Sequence, residues 1–164
     1  MSALALCFLA SWGSGCGPSL QGDLLRGDGF SVRLGAWPAS WQRISVGGGA
    51  LAFRDDEVGA TVAVSGRCGR DGEDVPLSAL TQHLFLQFTE REVREQVAEP
   101  FDGREALHSV VSAKLDGVRK VVDVFVLKKN GCVYDLLSVS GPARYELHAP
   151  RFHSFARGFA TVSP

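Results

Sequence analysis

"REALHSVVSAKLDGVRKVVDVFVLKKNGCVYDLLSVS", residues 104 to 140, decides the fold. Three apolar runs are separated here by Asp116-Gly117 and Asn130-Gly131. Such dipeptides supply two consecutive residues that tolerate positive φ, as the tight two-residue turns of antiparallel hairpins require. In the first run Leu107, Val111, Ala113 and Leu115 share one face. The second is apolar on both faces apart from Asp123, the pattern of a strand covered on two sides. The third, "CVYDLLSVS", is similar. The stretch predicts an antiparallel meander of three strands.

Upstream, the period changes. In "PLSALTQHLFLQF", 76–88, Leu77, Leu80, Leu84 and Phe88 recur at helical spacing with Phe85 beside them, one face of an amphipathic helix. Pro76 suits its first turn, and Asp71, Glu73 and Asp74 suit the positive end of its dipole. "EREVREQVAEPF", 90–101, fits a strand near Val93 to Val97 or an extension of the helix, and a strand is favoured. Downstream, Phe152, Phe155, Ala156 and Phe159 form an apolar stripe at helical spacing, with Pro150 suited to the first turn of a closing helix. Its aromatics are expected to pack into the core.

The N-terminal half alternates. "FSVRL", 30–34, has Phe30, Val32 and Leu34 on one side. Pro38 in "GAWPASWQRI" forces a bend before a short strand at Trp41 to Ile44, "LAFRD" at 51–55 returns with "RDDE" at a hairpin tip, and "ATVAVSGRC" at 60–68 continues. The expected class is α+β: a mostly antiparallel sheet with a bent N-terminal hairpin, one central helix, the three-strand meander and a C-terminal helix. This element order, with the "GFSVRL…PASW" opening, resembles the PsbP-like α/β/α sandwich. That superfamily includes extrinsic photosystem II proteins and many bacterial lipoproteins. The resemblance covers about residues 28 to 160 and implies a binding or assembly fold without a shared active site.

The first 22 residues are a different material, with no Asp, Glu, Lys or Arg before Asp23. "ALALCFLA", 3–10, is too short to span a bilayer, which takes about 20 residues, but suits the apolar part of a secretory signal. "GSGC", 13–16, resembles the lipobox of bacterial lipoproteins, which implies cleavage before Cys16 and its acylation. The alternative is a plain secretory signal. The expected organisation is a signal peptide at 1–15, a lipid-anchored tether at 16–28 and one α+β domain at 29–162. Gly17, in place of the Asp that retains such proteins at the inner membrane, favours the outer membrane or another periplasm-facing location.

Cys7 would leave with the signal and Cys16 would carry lipid, so Cys68 and Cys132 remain. In an oxidising compartment they form one disulfide or stay as two buried thiols. Neither sits in a C-x-x-C pair.

A formal net charge of −1 gives no reason to expect a nucleic-acid partner. The chain after residue 16 has no G-x-S-x-G and no metal-ligand spacing, so no catalytic residue, metal or cofactor is expected. His83, His108, His148 and His153 are scattered and are expected at the surface or at caps. "GRCGRDGEDV", 66–75, lacks EF-hand spacing and is expected to be a solvated loop pinned by Cys68. Asp123 is the most unusual acid; it is edge-facing or Arg-paired, or else a buried site carboxylate. Trp37 and Trp41 are candidate walls of an apolar binding groove. The expected function is a non-enzymatic, lipid-anchored envelope module that binds or assembles with an unknown protein partner. The alternatives are an apolar-ligand or chaperone-type binding protein and, last, a small enzyme using Asp123 and a histidine.

Overall fold

The computed structural model describes residues 17–69 and 74–162. The main sheet has seven strands, all paired antiparallel. They are β4 (Trp41–Ile44), β5 (Leu51–Asp55), β6 (Ala60–Cys68), β7 (Thr89–Phe101), β8 (Arg104–Leu115), β9 (Val118–Lys129) and β10 (Cys132–Ser140), in spatial order β4-β5-β6-β10-β9-β8-β7. The meander is present at β8-β9-β10, and a fourth long strand, β7, extends it. Its turns have the predicted geometry: φ is +50° and +78° at Asp116-Gly117 and +53° and +73° at Asn130-Gly131. Asp102-Gly103 repeats the device between β7 and β8, at +47° and +70°. Central β9 is buried from Val121 to Leu127, as its two-sided apolar run requires.

A second sheet has the order β1-β2-β3-β11: β1 (Ser19–Gln21), β2 (Leu24–Gly27), β3 (Phe30–Arg33) and β11 (Ala160–Thr161). One expectation is borne out and one corrected here. Trp41–Ile44 pairs with β5, its expected return strand, while Phe30–Arg33 pairs with β2 and β11. Residues 19–27, expected within the tether, are sheet, because Leu25 finds a fully buried place beside Val32. Residues 1–16, with the proposed signal peptide and Cys16, lie outside the described residues.

Helix α1 (Leu77–His83) covers one face of the main sheet, and helix α2 (Tyr145–Arg157), with the small sheet, covers the other. On the α1 side Phe85 is buried against Val111, Val122, Val124 and Val126, with Leu77, Leu80, Leu84 and Phe88 packed around them. The expected apolar face is thus in place although the helix stops at His83. On the α2 side Phe152, Phe155, Ala156 and Phe159 enter the core with Phe125, Tyr134 and Leu136, as expected.

Pro150 does not open α2 but lies inside it, on an exposed position. A short 3-10 turn, Pro142–Arg144, leads in, so Tyr145 and His148 are helical as well. The end of α2 rests on Gly35, where a Cβ would stand 2.1 Å from the Phe155 carbonyl oxygen. Cys68 and Cys132 are cross-strand partners and are joined by a disulfide, with Cα atoms 4.0 Å apart. Among the described residues no helix is long and apolar enough to cross a membrane.

Candidate functional site: a buried carboxylate between two histidines

The pairing of β8 with β9 places His108 opposite Phe125 and Val110 opposite Asp123. His108 and Asp123 are therefore diagonal neighbours on one face of the sheet, close enough for their side chains to meet. That face lies under α2. Tyr145 and His153, eight residues apart on the helix, come down onto the same carboxylate. His108 Nε2 stands 2.8 Å from Asp123 Oδ1, and His153 Nε2 stands 2.8 Å from Oδ2. The Tyr145 hydroxyl donates to Oδ2 at 3.0 Å.

The cluster is largely buried. The Asp123 side chain is 1% exposed and that of His108 8%, whereas His153 reaches solvent at 32%. The His108 ring stacks on Phe125 with centroids 4.2 Å apart, and the His153 ring meets it edge-on at 88°. Burial opposes ionisation of Asp123, but the hydrogen bonds from His108 and His153 and the charge of the two rings outweigh it. The carboxyl sits below its ordinary value. The same hydrogen bond raises His153, against burial. Burial, then the Asp123 charge, pushes the Tyr145 hydroxyl well above its ordinary value, so it remains a donor.

A carboxylate held low and already accepting three hydrogen bonds is a weak general base. What the arrangement offers is donor atoms: one oxygen and two imidazole nitrogens lie within 4.8 Å of one another. The expectation that Asp123 is edge-facing or Arg-paired is corrected on both counts, because its strand is interior and its partners are histidines and a tyrosine. The expectation that all histidines are surface or cap residues fails for His108 and His148, both buried. Only His83 is fully exposed. The absence of metal-ligand spacing along the chain did not prevent the fold from gathering a ligand set.

A second polar cluster lies under the same helix. Trp41 donates its indole N–H to Asp55 Oδ2 at 2.9 Å, and Arg151 reaches the same oxygen at 3.3 Å and Glu57 at 2.7 Å. His148 Nδ1 is 3.5 Å from Asp55 Oδ2 without forming a hydrogen bond, and burial lowers its pKa. Trp41, expected as a groove wall, is instead 4% exposed and packed against Phe53 and Phe155, with Trp37 half-buried on the same core. The two tryptophans close a core rather than line a groove. An open cleft of about 750 Å³ lies elsewhere, between the small sheet and the end of the meander, beside Arg26, Phe30 and Tyr134.

A three-layer arrangement with a mostly antiparallel sheet and two helices is the PsbP-like fold, and comparison with solved structures bears this out. The chain is similar to the cyanobacterial PsbP of Synechocystis, CyanoP, with a TM-score of 0.55 and 13% identity over 82% of this chain and 88% of that one. It is similar to LpqN of Mycobacterium tuberculosis, a protein described as involved in cell envelope biogenesis, with a TM-score of 0.57 and 14% identity over 84% and 87%. It is also similar to a protein of unknown function from Pseudomonas aeruginosa, with a TM-score of 0.52 and 12% identity over 83% and 90%. No family model and no curated protein matches the sequence.

Proposed function

We propose that this protein is a non-enzymatic binding or assembly module of the cell envelope, held at the membrane by an acylated Cys16. The observation that carries the reading is the open edge of the main sheet. Strand β7 runs 13 residues, pairs on one side only and is exposed along almost all its length. Unpaired N–H and C=O groups on such an edge are a template for a strand of another protein. Val93 and Val97, 60% and 42% exposed, offer apolar contacts on opposite faces of it. The alternating Glu and Arg of 90–95, with register breaks between Thr89 and Glu92 and between Val93 and Glu95, restrict indiscriminate pairing. The envelope setting draws support from the lipobox resemblance and from the role described for LpqN.

The test is a photo-crosslinking amino acid placed at Val97 or, as a control, at exposed Val46, in cells that make the full chain. A discrete protein adduct from position 97 and none from 46 supports the module. No adduct at 97, or the same adducts at both, overturns it. Cys16→Ser in the same cells should release the chain from the membrane fraction, and retention there would remove the anchor. A second reading, an apolar-ligand binder, is favoured by the cleft beside Phe30 and Tyr134, whose volume is within the range of small-molecule sites.

A further inference from the structure

We propose that His108, Asp123 and His153 form a binding site for a divalent transition cation of the Zn²⁺ class. The inference stands apart from the anchor and the edge strand, and holds equally for a chain that stays in water. Two imidazoles and one carboxylate are the donor set that suits Zn²⁺ and its first-row neighbours; Ca²⁺ and Mg²⁺ prefer oxygen alone. Three protein ligands, with only His153 part-exposed, would leave a fourth coordination position for water or another ligand.

The geometry is near what the ion requires. Zn²⁺ takes nitrogen and oxygen donors at about 2.0–2.1 Å in a tetrahedron, which sets neighbouring donors about 3.3 Å apart. Each Nε2 now lies 2.8 Å from a carboxylate oxygen, Oδ1 for His108 and Oδ2 for His153, and the ligand atoms lie within 4.8 Å of one another, so the donors need to shift by up to about 1.5 Å to close on one ion. The rings meet at 88°, so their nitrogens approach the carboxylate from two directions. His153, on the helix and part-exposed, is the side chain free to make that adjustment. His108 and Asp123 sit on paired strands, so their backbones are set and only side-chain torsions adjust, one beside its stack on Phe125 and the other under the Tyr145 hydroxyl. An outer hydrogen bond of that kind orients a ligating carboxylate.

The approach is acidic as well. Glu95 and Glu99 on β7 pair with Val110 and Ala106, which puts them on the same face of the sheet as His108. Arg157 pairs with Glu99 at the rim.

The experiment is calorimetric titration of the metal-free full chain with Zn²⁺, together with Co²⁺ absorption spectra. The expected result is one ion bound through this site, with a Co²⁺ spectrum that lacks a thiolate charge-transfer band. Asp123→Asn and His153→Gln should each weaken it at least tenfold. His83→Gln, on the exposed face of α1, should change nothing. If Asp123→Asn does not fold, as judged by circular dichroism, His153→Gln decides alone, because its side chain is already part-exposed. Zn²⁺ should also raise the melting temperature of the parent chain and not that of His153→Gln. Dissociation constants weaker than about 1 mM, undiminished affinity in His153→Gln, or loss of the site in His83→Gln would each overturn the assignment.

Discussion

Removing the Cys68–Cys132 bridge is the perturbation whose size the structure fixes most directly. The two cysteines are 64 positions apart in sequence yet are cross-strand neighbours, at one end of the β6–β10 ladder. Cutting the link leaves the remaining pairs of that ladder, from Arg67–Val133 to Thr61–Val139, to hold the native register. The loss therefore falls chiefly on the unfolded chain, which regains the freedom of a loop of about 65 residues. The chain-entropy relation puts that at about 4 kcal/mol at 25 °C. With a urea m-value of about 2 kcal/mol/M, the double variant Cys68→Ala/Cys132→Ala should unfold at a midpoint about 2 M lower than the parent. Its m-value should not fall, since its unfolded state is less constrained. Dithiothreitol should lower the parent midpoint towards the variant's and leave the variant unmoved. A midpoint shift under about 0.5 M at equal m, in chains shown by mass to carry the bridge, refutes the assignment of the stabilisation to loop closure.

Two further outcomes follow from the packing. Asp102 accepts hydrogen bonds from the Thr161 backbone N–H at 2.8 Å and its hydroxyl at 2.9 Å and pairs with Lys129 at 2.8 Å, tying β11 to the β7–β8 turn. Asp102→Asn keeps a residue that tolerates the turn's positive φ and should cost about 1.5–3 kcal/mol at pH 7 in urea denaturation. Burial would raise the Asp102 pKa, but the bonds from Lys129 and Thr161 outweigh it and hold it below the ordinary value. Its contribution is then complete above the ordinary carboxyl range, about pH 4, and is lost as pH falls through the depressed folded value. The gap between parent and variant should be flat from about pH 5 to 8 and close below about pH 4; a gap that widens in acid contradicts the linkage. Gly35→Ala places a methyl group against the Phe155 carbonyl and should destabilise by about 1–3 kcal/mol, lowering the melting temperature by about 2–4 °C per kcal/mol. An unchanged melting temperature would show that α2 is not seated on residue 35.

How much of this was legible along the chain depended on how local the cause was. The meander turns were legible because Asp-Gly and Asn-Gly act within two residues. Asp102-Gly103 carries the same signal, but its flank, "EREVREQVAEP", is charged on both faces and does not alternate, since β7 is an edge strand with no core to face. The small sheet was hidden because β11 is only two residues long, and its partners lie 127 or more positions away. Pro150 misplaced the start of α2 because proline is far more tolerable in a first turn than inside a helix, where it removes a hydrogen bond. Half of the candidate site was within reach. A two-residue turn at Asp116-Gly117 pairs Leu115 with Val118, and counting back sets His108 diagonal to Asp123. His153 and Tyr145 arrive only through the docking of α2, which no local signal specifies.

That docking explains why the buried polar groups gather where they do. A helix whose inward stripe is Phe152, Phe155 and Ala156 meets a sheet face made of Phe53, Val62, Phe125 and Leu136, and apolar attraction of this kind is non-directional. Polar pairs are directional. A shift of one helical turn, about 5.4 Å, would part Tyr145 and His153 from Asp123 and Arg151 from Asp55 at once. It would leave two carboxylates, both at 1% exposure or less, without those partners. Each such buried charge left uncompensated costs several kcal/mol. The apolar stripe thus supplies the attraction and the two aspartates supply the register, one towards each side of the stripe. The His108–Asp123–His153 geometry is consequently no looser than the seat of the helix itself, which is the condition a preformed ligand set has to meet.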